Sequence, residues 1–275
     1  MSNGYLVLFL SSIFMLCRWD VRAYDVGLLM AGLDYVLDLM GFDSRFGGCR
    51  FGRPPRLYVK ALVLKEVCKA SLRYAESLSL TYLGVRIPKS TLHYWEVRHG
   101  DMVGEVLNVL LRLLSTIDYD YSVVDSTKFT DWLKSLHELF IDVRVWSGYT
   151  LFPVHAKLTS SEVEFVKGIP EGEGVMLGDG AFNAKPVLNT IASRGYIPIV
   201  KRGSRSPRGY GARFRDRAYD EALYAYRSVG EGIFGALTVE FGDRLKTRRE
   251  EPTKTRTLLR IIIYCLKILV RWAYE

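Results

Sequence analysis

The sequence predicts a helical region of about 115 residues followed by an α/β unit with a mixed sheet. Three observations carry that expectation. Apolar positions recur at helical spacing up to about Ile117, and the pattern then changes to short alternating or β-branched runs. Those runs end in Gly- and Asp-bearing turns, and helical stretches lie between and after them. Apolar residues make up 49% of 275, enough to bury a core in one large domain or two smaller ones.

Within the first part, residues 26–40 and the series Leu57, Ala61, Leu64 and Cys68 have helical spacing. Between them, Gly47 to Arg56 is a basic connector rich in glycine and proline. A further helix is expected from about Ser71 to Gly84. A turn containing Pro88 follows, and Ser90 then stands as the N-cap of a helix over 91–98. Two helices joined by a glycine-bearing turn have the outline of a helix-turn-helix, which would bring Lys89, Ser90, Thr91, His93 and Tyr94 to a DNA groove.

In the second part, Tyr121–Val124 reads as a short strand ending at Asp125. Ile141, Val143 and Val145 alternate with Asp142 and Arg144 as in a half-buried strand. Ser147-Gly148 is a turn, and Leu151–Leu158 returns as the next strand. Val175–Leu177 is a further strand before Gly178-Asp179-Gly180. Residues 184–193 are expected to be helical, and 196–200 a strand. From Tyr219 the pattern is helical to the end, with a break expected near Pro252. The organisation predicted is therefore a helical region over residues 1–115 and an α/β domain over 116–275.

The net charge of +8 is unevenly spread. Seven Lys or Arg lie between Lys201 and Arg217, and six between Arg244 and Arg256. Such clustering suits a polyanion, nucleic acid before an anionic membrane. The first cluster alternates with Gly, Pro, Tyr210 and Phe214. It reads as a mobile loop tracking phosphates, with Lys201, Arg202, Arg205, Arg208 and Arg213 as the contacts. Four scattered cysteines and four histidines have no zinc-site spacing and read as reduced thiols and isolated rings in an intracellular protein. The apolar run 5–17 is too short to span a bilayer. The run 258–274 is interrupted by Arg260, Lys267 and Arg271 on one stripe, so both are expected to be core helices.

Asp125 and Asp179 each follow a strand, at the sheet edge where functional groups gather. At 3.6 residues per turn, Tyr224, Arg227 and Glu231 lie on one helix face and are expected to point together at that edge. Three carboxylates at one edge suit hard divalent cations. Glu240 lies nine residues beyond Glu231 and would turn to the opposite face. The string Gly230-x-Gly232-x2-Gly235 matches a dinucleotide fingerprint only in letters. It follows a helix instead of a strand, and Glu231 would meet a pyrophosphate with like charge. These glycines are costly in a helix and call for a packing reason.

Val123-Val124-Asp125-Ser126-Thr127, Leu177-Gly178-Asp179-Gly180-Ala181-Phe182 and Tyr224-x2-Arg227-x3-Glu231 resemble the three signature regions of bacterial and archaeal insertion-sequence transposases of the acidic-triad (DDE) type. The fifty-odd residues between successive carboxylates suit that family's core without a large insertion. Gly52-Arg53-Pro54-Pro55 and Ile87-Pro88-Lys89-Ser90-Thr91 resemble its DNA-binding part, so the similarity runs from about residue 50. The resemblance implies a ribonuclease H-like mixed sheet with flanking helices and two Mg²⁺ (or Mn²⁺) ions. Asp125 would bridge them, with Asp179 and Glu231 holding one each, and Arg227 and Tyr224 would support them. It further implies cleavage and strand transfer at the ends of a mobile element in a prokaryotic cytoplasm. The partners implied are double-stranded DNA and other copies of the chain, with no membrane. One position departs from the pattern: the family often has Lys seven residues after the glutamate, and Thr238 stands here. That departure admits an inactive or domesticated DNA-binding protein as the alternative, beside a nuclease of the same fold that cuts without joining.

Overall fold

The computed structural model describes residues 25–47, 52–148, 150–203 and 207–274, with no side chains described at 273 and 274. The apolar run 5–17, Cys17, Cys49 and Arg205 lie outside them. The chain divides into two compact units, residues 25–110 with 255–274, and residues 111–254. The last helix thus contributes its final twenty residues to the helical unit, where the sequence grouped them with the sheet.

The helical unit contains α1 (Val26–Leu39), α2 (Phe42–Phe46), α3 (Pro55–Val67), α4 (Leu72–Leu83) and α5 (Lys89–Arg98). It also takes most of α6 (Gly100–Leu114) and the C-terminal part of α12 (Glu250–Tyr274). Asp25 caps α1 and Ser71 caps α4 through their side-chain oxygens, and Gly84 closes α4 in the left-handed conformation at φ 67°. Tyr58 of α3 stacks on Trp95 of α5 at 4.4 Å between ring centres. Gly32 of α1 meets Leu266 and Val270 of α12, so the last helix is a core layer of this unit. Among the described residues no helix is long and apolar enough to cross a membrane. Ser90 does not cap α5. The helix begins at Lys89 behind an extended Pro88, and the Lys89 N–H is satisfied by Glu76 Oε2 at 3.1 Å.

The second unit is α/β. Its described strands are β1 (Tyr121–Thr130), β2 (Leu136–Trp146), β3 (Thr150–Leu158), β4 (Val175–Gly178) and β5 (Ile197–Val200), in the order β3-β2-β1-β4-β5. The first three are antiparallel neighbours, while β4 and β5 run parallel to β1, so the sheet is mixed as expected. Ser147 and Gly148, both at positive φ, turn β2 into β3. Helices α7 (Glu162–Val166) and α8 (Lys185–Ser193) cover one face, where Phe140, Phe165, Phe182 and Ile191 form the core.

Four expectations change. β1 runs on past Asp125 to Thr130, because Ser126–Thr130 pair with Phe140–Leu136 across the hairpin. The basic stretch is not loop throughout: α9 (Tyr210–Ala218) forms within it, with Gly211 seated where a Cβ would lie 2.2 Å from the Leu188 carbonyl oxygen. The helix before Glu231 is interrupted, giving α10 (Glu221–Ala225) and α11 (Arg227–Phe241). The break in the last stretch falls at 242–249, ahead of α12. Pro252 sits in that helix's first turn, where a missing N–H costs no hydrogen bond.

Candidate active site

Parallel pairing of β1 with β4 stops at Val124 opposite Gly178, and Asp125 and Asp179 are the next residues on the two strands. Asp125 thus stands where β1 loses β4 as its parallel neighbour, while pairing with β2 continues. Its side chain lies on the face covered by α11 and is only 13% exposed. Asp179 leaves β4 as the cap of a short 3₁₀ turn, Gly180–Phe182, and Oδ1 accepts the Ala181 N–H at 2.9 Å.

Helix α11 reaches the sheet at Gly230. A Cβ there would sit 2.5 Å from Val123 Cγ1, so only glycine lets the helix lie this close. That accounts for the first of the three helical glycines. A Cβ at Gly232 would lie 3.1 Å from Leu151 Cδ1, a tight contact, and nothing in the surroundings of Gly235 explains that glycine. The approach delivers Arg227: Nη1 donates to Asp125 Oδ2 at 3.1 Å and Nη2 to Glu231 Oε1 at 2.7 Å. Glu231, one turn on, is more than half exposed apart from this bond.

Charge is concentrated here. Burial pushes the Asp125 carboxyl above its ordinary value, and the nearby negative charges of Asp179 and Glu231 push the same way. The Ser126 N–H and Arg227 oppose them without prevailing. Burial works to lower the Arg227 pKa, but Asp125 and Glu231 outweigh it and hold the guanidinium charged. The structure thus brings together Asp125, Asp179, Arg227 and Glu231. Tyr224 belongs to α10, not to the helix bearing Arg227 and Glu231. Its ring lies 5.7 Å from Tyr219, although it remains near enough to add to the field at Arg227.

A second set of groups, not foreseen from the sequence, supports the Asp179 turn. Arg215 of α9 is fully buried and donates to Asn183 Oδ1, just past that turn. Asp216 accepts from both Arg215 and Arg202 at 2.9 Å. In the sequence Arg215 is one basic residue among seven, and only the burial pattern of α9 separates it from the rest. Arg202 is therefore engaged with Asp216, while Lys201, Arg208 and Arg213 are exposed. In the helical unit Lys89, Ser90, His93 and Tyr94 lie on the exposed face of α5, and Thr91 is half-buried.

The donors fit hard cations, being carboxylate oxygens throughout. As placed, no three Asp, Glu, His or Cys groups among the described residues stand close enough to hold an ion together. The Arg227 guanidinium lies between Asp125 and Glu231 and supplies the positive charge there. The chain matches no known protein-family model and no curated protein.

Proposed function

We propose that this chain is a DNA transposase with a ribonuclease H-like core, cutting DNA strands and transferring the cut ends in a metal-dependent reaction. One observation carries the reading. Two aspartates stand just past the last paired residues of adjacent parallel strands, and Arg227 ties one of them to a glutamate on the helix packed against the sheet. The five-stranded mixed sheet supports the same reading, as do the signature-like residues around each carboxylate.

Asp125, Asp179 and Glu231 would hold two Mg²⁺ or Mn²⁺ ions. Arg227 holds Asp125 Oδ2 and Glu231 Oε1, two of the oxygens that would serve as ligands. Bound there, such ions supply Lewis acidity toward a phosphate and activate water or a 3′-hydroxyl as nucleophile. Arg227, freed toward the phosphate, steadies its negative charge, and Arg215 keeps the Asp179 turn in position. The exposed face of α5, with Lys89, Ser90, Thr91, His93 and Tyr94, would read element ends. Lys201, Arg202, Arg208 and Arg213 would contact phosphates. Arg205, proposed with them, lies outside the described residues. Other copies of the chain assembled on DNA, and a prokaryotic cytoplasm, belong to the same proposal.

The test is cleavage of DNA bearing candidate element ends, with Mn²⁺, by Asp125→Ala and Asp179→Ala. Both should lose cleavage and keep nearly full DNA binding. Retention of more than a few per cent of cleavage by either overturns the metal assignment. Pre-cut ends in a strand-transfer assay separate a transposase from a nuclease. DNA binding without catalysis is the second reading, favoured by Thr238, which is exposed on α11 and leaves Arg244 and Lys246 as the next basic residues. A wild-type chain that binds but never cuts selects it.

A further inference from the structure

We propose that the tip of the β1–β2 hairpin and the basic stretch beside it form a site for unpaired bases of a DNA strand, with Trp132 as the stacking platform. The inference rests on the DNA part of the functional reading and adds a site that the triad does not require.

The hairpin continues past the end of β4, pairing as far as Thr130 opposite Leu136. Its tip is exposed yet closely tied. Asp131 N–H donates to the Ser135 carbonyl at 3.2 Å, and Asp131 Oδ1 accepts the Ser135 N–H at 2.9 Å. Lys134 takes the left-handed conformation at φ 65° and donates its N–H to the Asp131 carbonyl. His137 Nε2 stands 3.3 Å from Asp131 Oδ2. On this fixed turn Trp132, Leu133 and Leu136 are 48%, 63% and 62% exposed. One exposed apolar side chain is ordinary, but three grouped on a braced, protruding turn mark a contact surface.

The chain between α11 and α12 is stitched to the same tip. Leu245 N–H donates to the Thr130 carbonyl and Trp132 N–H to the Thr247 carbonyl, each at 2.9 Å. Leu245 and Thr247 are buried, while Arg244, Lys246 and Arg248 are exposed, the period-two pattern of an extended segment. Arg244 Nη2 donates to the Trp132 carbonyl at 3.0 Å, and its guanidinium lies 5.6 Å from the centre of the indole. Arg248 and Arg249 continue the basic surface. Of the acids nearby, Asp131 is buried in the turn, Glu250 is paired with Lys254 at 2.6 Å, and Asp243 and Glu251 are exposed.

A flat ring braced by a cation, with further cations along one line, fits a strand offering both phosphates and base faces. Duplex DNA keeps its base faces stacked inside, so the matching ligand is the unpaired end of a cut or frayed strand. An acidic apolar protein segment is the competing occupant.

The test uses the full chain without divalent ions. Its probes are a blunt DNA duplex and the same duplex with an overhang of about ten nucleotides carrying 2-aminopurine. Wild-type protein should quench the 2-aminopurine. Trp132→Ala should weaken binding of the overhang DNA about ten-fold and of the blunt duplex less than two-fold, while Trp132→Phe restores most of the loss. Arg248→Ala with Arg249→Ala should weaken both and flatten the salt dependence. Absence of quenching by the wild type overturns the proposal without any variant having to fold. So does equal loss on the two DNAs, or displacement of the overhang DNA by an acidic apolar peptide only. If the wild type binds neither DNA, the functional reading itself falls. If it binds both and Trp132→Ala changes nothing, only this site falls.

Discussion

Glu96 is almost wholly withdrawn from water, with Lys65 Nζ 2.9 Å from Oε1 and Arg256 Nε 2.7 Å from the same oxygen. Burial works to raise its pKa, but the two cations prevail and hold it below the usual carboxylate range. Its contribution to stability is therefore present above that range and is lost as pH falls through the lowered value. Asp142 on β2 is just as buried, and the groups that favour its charged form are Arg144 and the Ser122 hydroxyl of β1. Burial pushes this carboxyl up to about 7 against the attraction of Arg144. The sign is thus reversed: stability falls as pH rises from the ordinary carboxylate range through about 7. Two substitutions separate the cases. Glu96→Gln should destabilise by about 1–3 kcal/mol at neutral pH, since it leaves Lys65 and Arg256 to share the one carboxylate of Glu66. Asp142→Asn should leave stability unchanged at pH 4 and raise it at pH 8. Denaturant unfolding at both pH values checks each, and a destabilised Asp142→Asn at pH 8 contradicts the account. Neither environment is legible in sequence: alternation along β2 reads as a half-buried strand with Asp142 outward, whereas both faces are buried there, and the cations around Glu96 come from the distant α3 and α12.

Helix α11 depends on one residue without a side chain. Gly230→Ala places a methyl 2.5 Å from Val123 Cγ1, and the stiff β-branched valine has little room to yield. The helix must lift, and the Arg227 contact with Asp125 lengthens with it. Cleavage should then fall by more than ten-fold, while stability drops by only about 1–3 kcal/mol. Adding Val123→Ala should restore much of the activity, a coupling that a simple stability loss would not show. The glycine string was visible in the sequence and its meaning was not, since the reason lies across the sheet. β4, β5, α4 and α8 were legible because each has turn or cap residues at both ends. The full length of β1 was not, because Ser126–Thr130 lack apolar alternation and are held by pairing with β2. α9 looked like loop for a similar reason: its arginines and glycine resemble solvated chain until Arg215 is seen buried and Gly211 seated on α8. The helix break between Ala225 and Arg227 leaves Arg227 and Glu231 on one helix and Tyr224 on another.

Across the whole molecule the excess of positive charge has two separable uses under the proposed function. Replacing Arg208 and Arg213 by alanine should weaken binding alike on all DNA sequences and lessen its dependence on salt, as for phosphate contacts. Changes at Lys89, Thr91 and His93 should instead alter preference between sequences. Binding isotherms on two unrelated duplexes at several salt concentrations distinguish these outcomes, and an unchanged preference after all three changes removes α5 as the reader. The basic clusters were legible from composition, whereas the grouping of the chain into units was not, because nothing local marks α12 as the partner of α1. That grouping bears on how the protein is made. Residues 111–254 form a unit continuous in sequence, but the helical unit is assembled from two segments separated by that whole stretch. During synthesis the sheet can therefore complete itself while the helices made before it still lack Leu266 and Val270 against Gly32. A nascent chain halted at Lys254 should show protected amides in β1 and β4 and rapid exchange in α1. The helices made before the sheet become the last to mature, and each molecule acquires its proposed DNA reader only after the sheet edge proposed to cut is built.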